Sequence, residues 1–291
     1  MLEYDYHPTK TVAETLDLLG RYGDDAHLLA GGTSFMLMHR QGLLQPGHVV
    51  GIRGVNELRG IRAANGGLEI GATTTHREVV YSPEVRAFCP TLSENFSRIA
   101  TVRIRNQATI GGNLVHADPA QDPPSMLLAL DAEVVIAGKN GERTVPLDGF
   151  FVDIFQTQVE EGEVLKSIRI PALPAGTKTT YVKFLPRTED DYATVAVAAR
   201  LRIGADGKCE DIRIGLGAAA PIPMRAKKVE NALRGQQLTP ALIDEAAALV
   251  RDEVDPLDDV RGSAGYKREM ARVWTGRAIR SLVDGGNGQH A

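Results

Sequence analysis

Two glycine pairs constrain this chain more than any other feature. The first lies in LLAGGTSF, residues 28–35, where an apolar stretch runs into Gly31-Gly32 and then into the hydroxyl residues Thr33 and Ser34. The second lies in QATIGGN, residues 107–113, where β-prone residues run into Gly111-Gly112 and then Asn113. Glycine accepts positive φ and lets another group come close to the backbone; asparagine tolerates the left-handed region. Where such a turn opens a helix, which Thr33 or Ser34 can cap, consecutive N–H groups face outward at the positive end of the helix dipole. That arrangement suits a phosphate. Two of them in one chain can clamp the halves of a single pyrophosphate, each turn giving N–H donors to one phosphate. Neither is a Walker loop, since no Gly-Lys-Ser/Thr follows, and neither is GxGxxG. Taken singly, a turn of this kind is more often an ordinary strand-to-helix connection that binds nothing.

The stretch HADPAQD after the second pair puts His116, Asp118 and Asp122 in a proline-rich loop. Carboxylates are repelled by phosphate, so these aspartates suit sugar hydroxyls or simply cap the loop. As metal ligands they would be poorly fixed for a transition ion.

With 291 residues, 43% hydrophobic and 24% charged, the chain reads as soluble, globular and about two domains long. A formal charge of −4 argues against a nucleic-acid coat. No run of 18 apolar residues is present to span a membrane. The two cysteines, Cys89 and Cys209, are too few for an iron–sulfur cluster, and their sparseness fits a reducing, cytoplasmic setting.

Periodicity predicts a helix over 11–19, a strand over 27–30, a helix over 35–40 and a strand over 48–52. Strand, turn and helix follow over 68–80, then a helix over 90–99 and a strand over 107–110 entering the second glycine pair. A helix starting at Pro124 and strands over 133–137 and 164–170 complete this part. PALPAG, residues 171–176, is a linker by composition. Beyond it, strands over 179–185, 193–203 and 212–216 predict a three-stranded antiparallel sheet, and helices follow over 224–233, 240–251 and 263–283. The fold class is α+β, with domains at 1–176 and 177–284 and a flexible tail at 285–291.

LAGGTSFM, TIGGNLVHADPAQDPPS, GEVLKSIRIP and YVKFLPRTEDDYATVAVA, in this order and spacing, resemble the FAD-binding medium subunit of the molybdenum hydroxylases, the xanthine dehydrogenase, carbon monoxide dehydrogenase and aldehyde oxidoreductase family. The resemblance runs from about residue 3 to about 283. It implies a two-lobed PCMH-type FAD-binding domain followed by the family's C-terminal flavin-subunit domain. Leu29, Ala30, Gly31, Gly32, Thr33, Ser34 and Phe35 match its first pyrophosphate loop, and Thr109, Ile110, Gly111, Gly112 and Asn113 the second. Asp122 and Leu165 match FAD contacts, Lys183 a lysine near the flavin ring, Ile99 an apolar contact, and Tyr192 a residue that covers one face of the ring. A lysine there would stabilise negative charge on the reduced ring; without the family, Lys183 reads as a surface lysine. Arg103, Arg105 and the Thr73–Thr75 run are weaker candidates, as is the acidic cluster Glu189–Asp191. The carbon monoxide branch usually has His where this chain has Thr33.

The implied function is that of an oxidoreductase subunit. It passes electrons from [2Fe–2S] clusters of a small partner through FAD to an external acceptor, while a large partner carries the molybdenum cofactor. The implied assembly is a dimer of heterotrimers. Two other readings are a flavin-free scaffold and a self-sufficient flavin oxidase; the C-terminal region has no His or Tyr base constellation to support the latter.

Overall fold

The computed structural model describes residues 3–186, 188 and 190–285. Glu189 of the acidic cluster and residues 286–291 of the expected tail lie outside the described residues.

The first lobe is a small parallel sheet. β1 (Asp5–Pro8), α1 (Val12–Tyr22), β2 (Ala26–Leu29), α2 (Thr33–Arg40) and β3 (His48–Gly51) alternate along the chain, and the strands lie in the order β1-β3-β2. α1 starts with a capping box, in which Thr11 Oγ1 accepts the Glu14 N–H and the Glu14 carboxylate accepts the Thr11 N–H. Its apolar face packs with Val50, Ile52 and Val55 and with Val164 of the second lobe.

The second lobe contains β4 (Ile61–Ala64), β5 (Gly67–Gly71), α3 (His76–Tyr81), α4 (Pro83–Phe88), α5 (Pro90–Ser97), α6 (Val102–Gln107), α7 (Ile110–His116), α8 (Asp122–Ala129), β6 (Glu133–Gly138), β7 (Gly141–Pro146), β8 (Phe151–Asp153), β9 (Gln156–Thr157) and β10 (Val164–Ile170). Its antiparallel sheet has the order β4-β5-β10-β6-β7. The last strand is thus inserted at the centre, which carries Leu165 into the main core. The strand expected over 107–110 is absent. Gln107 ends α6, and Thr109 caps α7 by accepting the Gly112 N–H at 3.2 Å. A single bridge between Thr75 and Thr109 is all that remains of strand pairing there. The helix expected from Pro124 begins two residues earlier, because Pro123 and Pro124 occupy a first turn where a missing N–H breaks no helical bond.

The C-terminal region is an antiparallel sheet of β11 (Lys178–Phe184), β12 (Val195–Ile203), β13 (Cys209–Gly217) and β14 (Met224–Arg225), with α9 (Lys227–Leu233), α10 (Pro240–Ala248) and α11 (Ala264–Val283). The two-residue β14 joins the three expected strands and takes the place of the first turn expected of the helix over 224–233. α8 of the second lobe lies on this sheet: a Cβ on Gly215 would stand 1.9 Å from the Ser125 carbonyl oxygen, so only glycine permits the approach.

Candidate cofactor site

At the first glycine turn, β2 runs out at Leu29, Gly32 takes φ 76°, and α2 begins at Thr33 with no side-chain cap. Among the described residues, no N–H from Gly31 to Phe35 has a hydrogen-bond partner; the first N–H to close the helix is that of Met36, on the Gly32 carbonyl at 2.9 Å. The Phe35 ring anchors this end, stacked on His27 and His39 and edge-on to Tyr4. The result is a row of open donors at a helix N-terminus, as the sequence leads one to expect.

The two glycine turns meet. A Cβ on Gly31 would lie 2.1 Å from the Gln107 carbonyl oxygen and 2.9 Å from Ala108 Cα, so the chain entering the second turn passes directly against the first. Gly31→Ala is expected to push the two loops apart, to destabilise the chain by about 1–3 kcal/mol as overpacking does, and to abolish FAD retention. Chemical unfolding and flavin absorbance of the purified variant check this.

The second turn differs from the expected amide cradle. Its N–H groups are already used: Ile110 donates to Thr74 at 3.0 Å, Gly111 to Ala72 at 2.8 Å, Gly112 to Thr109 Oγ1, and Asn113 to the Thr109 carbonyl at 2.9 Å. Gly111 is needed for packing, since a Cβ there would stand 2.5 Å from Ala72 Cβ. What this turn can offer a ligand is the Asn113 amide, whose Oδ1 is buried without a partner, and the exposed backbone at Gly112. The Thr73–Thr75 hydroxyls are likewise occupied, on the Leu58 and Gly60 carbonyls and in the cap of α3.

A second group of expected residues gathers at the start of α8. Asp122 and Lys183 form a buried ion pair, Nζ to Oδ2 3.0 Å. The Tyr181 hydroxyl donates to the other carboxylate oxygen, and Asn95 Nδ2 donates to the Asp122 carbonyl at 3.0 Å. Burial pushes the Asp122 carboxyl up, and the Lys183 ammonium pulls it back. The lysine charge is therefore matched by a carboxylate, and the pair presents little net charge to a neighbour. Lys183 Nζ also donates to the Arg98 carbonyl at 2.8 Å, while Arg105 donates to the Ile99 and Ala100 carbonyls at 2.6 Å each. Ile99 is thus held in a pinned segment whose next residue, Ala100, has φ 39°. Beside it opens a cavity of about 220 Å³ lined by Ser97, Arg98, Ala100, Arg105 and Asp190.

Tyr192 is 40% exposed and carries the Arg261 guanidinium over its ring at 5.2 Å. Asp118 turns inward to its own loop and accepts the Ala120 N–H. A larger cleft of about 400 Å³ on the polar face of the five-stranded sheet, between Arg59, Arg62, Glu69 and Lys166, contains none of the expected residues. Sequence reasoning missed Tyr181, Asn95 and Arg261, which act through residues far away in the chain. Tyr181 had one local signal, standing two positions before Lys183 and so on the same face of its strand.

The residues present fit a dinucleotide. The first turn has unpartnered donors for a phosphate, Asn113 has an orphaned buried acceptor, and the backbones of both turns meet without intervening side chains.

Beneath the second turn, burial and then the Arg105 charge hold the His76 imidazole down to about 3. The fold keeps it neutral, whereas an unfolded chain protonates it below about 6.5. Its stabilising effect is therefore complete above that value and is lost as pH falls toward 3, at up to about 1.4 kcal/mol per pH unit. His76→Gln is expected to flatten the acid side of the stability profile between pH 6 and 4, read from denaturant midpoints.

Residues 2–173 match the family described as FAD binding domain in molybdopterin dehydrogenase, and residues 180–282 match the CO dehydrogenase flavoprotein C-terminal domain. The chain belongs to the FAD-binding medium-subunit family of the molybdenum hydroxylases, and is an oxidoreductase subunit of that class. It is 39% identical over 278 residues to the carbon monoxide dehydrogenase medium chain of Hydrogenophaga pseudoflava, covering 96% of each chain. It is 32% identical to the glyceraldehyde dehydrogenase medium chain of Sulfolobus acidocaldarius, covering 97% of this chain and 99% of that one. A solved carbon monoxide dehydrogenase from H. pseudoflava, lacking the Mo-pyranopterin moiety, matches with TM-score 0.94 at 40% identity, over 97% of this chain and 98% of that one. Quinoline 2-oxidoreductase from Pseudomonas putida matches with TM-score 0.90 at 31% identity, over 97% and 98%. Thr33 therefore sits in a scaffold shared by chains named for several different substrates.

Proposed function

We propose that this chain is the FAD-carrying electron relay of a molybdenum hydroxylase complex. The observation that carries the reading is the meeting of the two glycine turns beside the open N–H row of α2. Leu29 to Phe35 would hold one phosphate through backbone donors. Thr109 to Asn113 would line the other side through the close backbone approach and the Asn113 amide. Asp122 and Leu165 would meet the cofactor from α8 and β10, and Ile99, Lys183 and Tyr192 would surround the ring end. Bound FAD supplies the capacity to take electrons from a one-electron donor and pass them to an acceptor. The protein holds the dinucleotide, excludes water with the apolar Ile99 and Leu165, and keeps the Asp122–Lys183 pair near charge balance.

The relatives are named as medium chains of multi-subunit enzymes. We accordingly assign this chain a small partner with [2Fe–2S] clusters and a large partner with the molybdenum cofactor, in a dimer of heterotrimers in the cytoplasm. Both cysteines are buried, Cys89 in the core of the second lobe and Cys209 in that of the C-terminal sheet, so neither presents a thiolate to a cluster. No helix among the described residues is long and apolar enough to cross a membrane. The linker at 171–176 would divide a flavin domain at 1–176 from a C-terminal domain at 177–284.

Titrating the purified full-length chain with FAD, followed by flavin fluorescence, tests the reading. Saturation at one flavin per chain is expected. A colourless chain that cannot be reconstituted would leave the scaffold role in its place, and a chain that purifies alone and oxidises a small substrate unaided would favour the self-sufficient oxidase.

A further inference from the structure

Asp131 stands just past the C-terminal end of α8, and its conformation is unusual. The Asp131 N–H bonds the Leu128 carbonyl at 3.1 Å and the Ala132 N–H bonds the Leu127 carbonyl at 3.0 Å. This is a Schellman ending, in which the residue at Asp131 normally is glycine. Here an aspartate takes the left-handed φ of 51°. Its carboxylate receives three arginines from three strands of the C-terminal sheet: Arg200 of β12 at 2.8 Å, Arg213 of β13 at 3.1 Å and Arg225 of β14 at 3.0 Å. Arg200 and Arg213 are directly paired across β12 and β13. Like charges in that position repel, so this face of the sheet requires an anion. Asp211 supplies one from the sheet itself, bonding Arg200 at 2.8 Å and also pairing with Arg213; Asp131 supplies the other from α8.

The opposite end of α8 is tied in the same sense. Asp122, its first residue, is paired with Lys183 of β11. Between the two ends every helical residue is buried, and Ser125 rests on Gly215 of β13. Helix and sheet are therefore joined by an acid-to-base contact at each end, roughly 13 Å apart at 1.5 Å per residue.

We infer that Asp131 is a positioning residue of the cofactor site: its arginine cluster sets where α8 lies on the C-terminal sheet and so holds Asp122 in register with Lys183. The inference rests on the FAD reading. It assigns to Asp131, Arg200, Arg213 and Arg225 a role in cofactor binding from a distance, with none of them touching the dinucleotide.

The test is Asp131→Gly in the full-length chain, with Asp131→Asn beside it. Glycine keeps the helix ending and removes only the carboxylate, and asparagine keeps the left-handed conformation and the shape. Both are expected to raise the FAD dissociation constant about tenfold, the scale of remote coupling to a site. Both should also speed amide exchange at residues 126–129, the N–H groups that close α8 behind Pro123 and Pro124, while leaving exchange across β1–β3 unchanged. A variant that loses thermal stability but binds FAD like the parent, with unaltered exchange at 126–129, overturns the inference and leaves Asp131 a structural anchor only. If neither variant folds, Arg213→Gln removes one arm of the cluster. About a threefold weaker affinity is then expected, and parental affinity overturns the inference. A parent chain that takes up no FAD refutes the FAD reading instead, so the two failures are distinguishable.

Discussion

Lys183→Met is expected to lower the unfolding free energy by about 3–5 kcal/mol at pH 8, the usual result of leaving one member of a buried ion pair alone. Asp122 is 4% exposed, and the Tyr181 hydroxyl that remains cannot neutralise it. The pH dependence identifies the cause. Burial already raises the Asp122 carboxyl above its ordinary 3.8, and Lys183 opposes that rise; without the lysine the carboxyl rises further. The folded variant then holds a proton that the unfolded chain has released. A carboxyl raised in the fold contributes most at low pH, and its contribution falls as pH climbs from about 3.8 toward the raised value. The variant should thus recover much of its deficit at pH 5. Adding Asp122→Asn to Lys183→Met should recover it at pH 8 as well, since no buried charge is then stranded. Urea titrations of parent, single and double variants at both pH values measure this. An equal loss at pH 5 and pH 8, unrelieved in the double variant, would show that the pair is not the buried unit described.

Ser34→Asp should affect binding and folding in opposite directions. Ser34 is the second residue of α2, where a negative side chain complements the helix dipole by about 0.3–1 kcal/mol. The apo chain should be as stable as the parent or slightly more so. A phosphate held on the same N–H row would meet that carboxylate. Two like charges about 5 Å apart at an effective dielectric near 20 repel by about 3 kcal/mol, which is roughly a hundredfold in affinity. Thermal unfolding of the apo chain together with an FAD titration separates the two effects. Undiminished affinity would remove the phosphate from this turn.

Much of the fold can be read along the chain because its signals are local. The capping residue Thr11, the apolar runs that became β5, β6 and β10, and the Gly204–Gly207 turn between β12 and β13 all depend on neighbours a few residues away. The first glycine turn was legible for the same reason: strand, αL glycine and helix start are consecutive. The second was only half legible. Its glycines were evident, but whether their N–H groups were free depended on Ala72 and Thr74, nearly 40 residues earlier. The sequence also could not show that Lys183 would find Asp122, 61 positions away, and so cease to act as a lone cation.

Most of the longer strands and helices, the two glycine pairs and the set of chemical groups available to a dinucleotide were determined by the sequence alone, whereas the short strands β1, β4, β8, β9 and β14 and the helical course of 107–110 were not. Tertiary structure decided which groups remain available: it closed the donors of the second turn on neighbouring carbonyls, matched Lys183 with a carboxylate, and set α8 between acid–base contacts at both ends. The reason is that propensity and capping act over one or two turns of chain, whereas ion pairing and backbone satisfaction depend on which distant segments burial brings together.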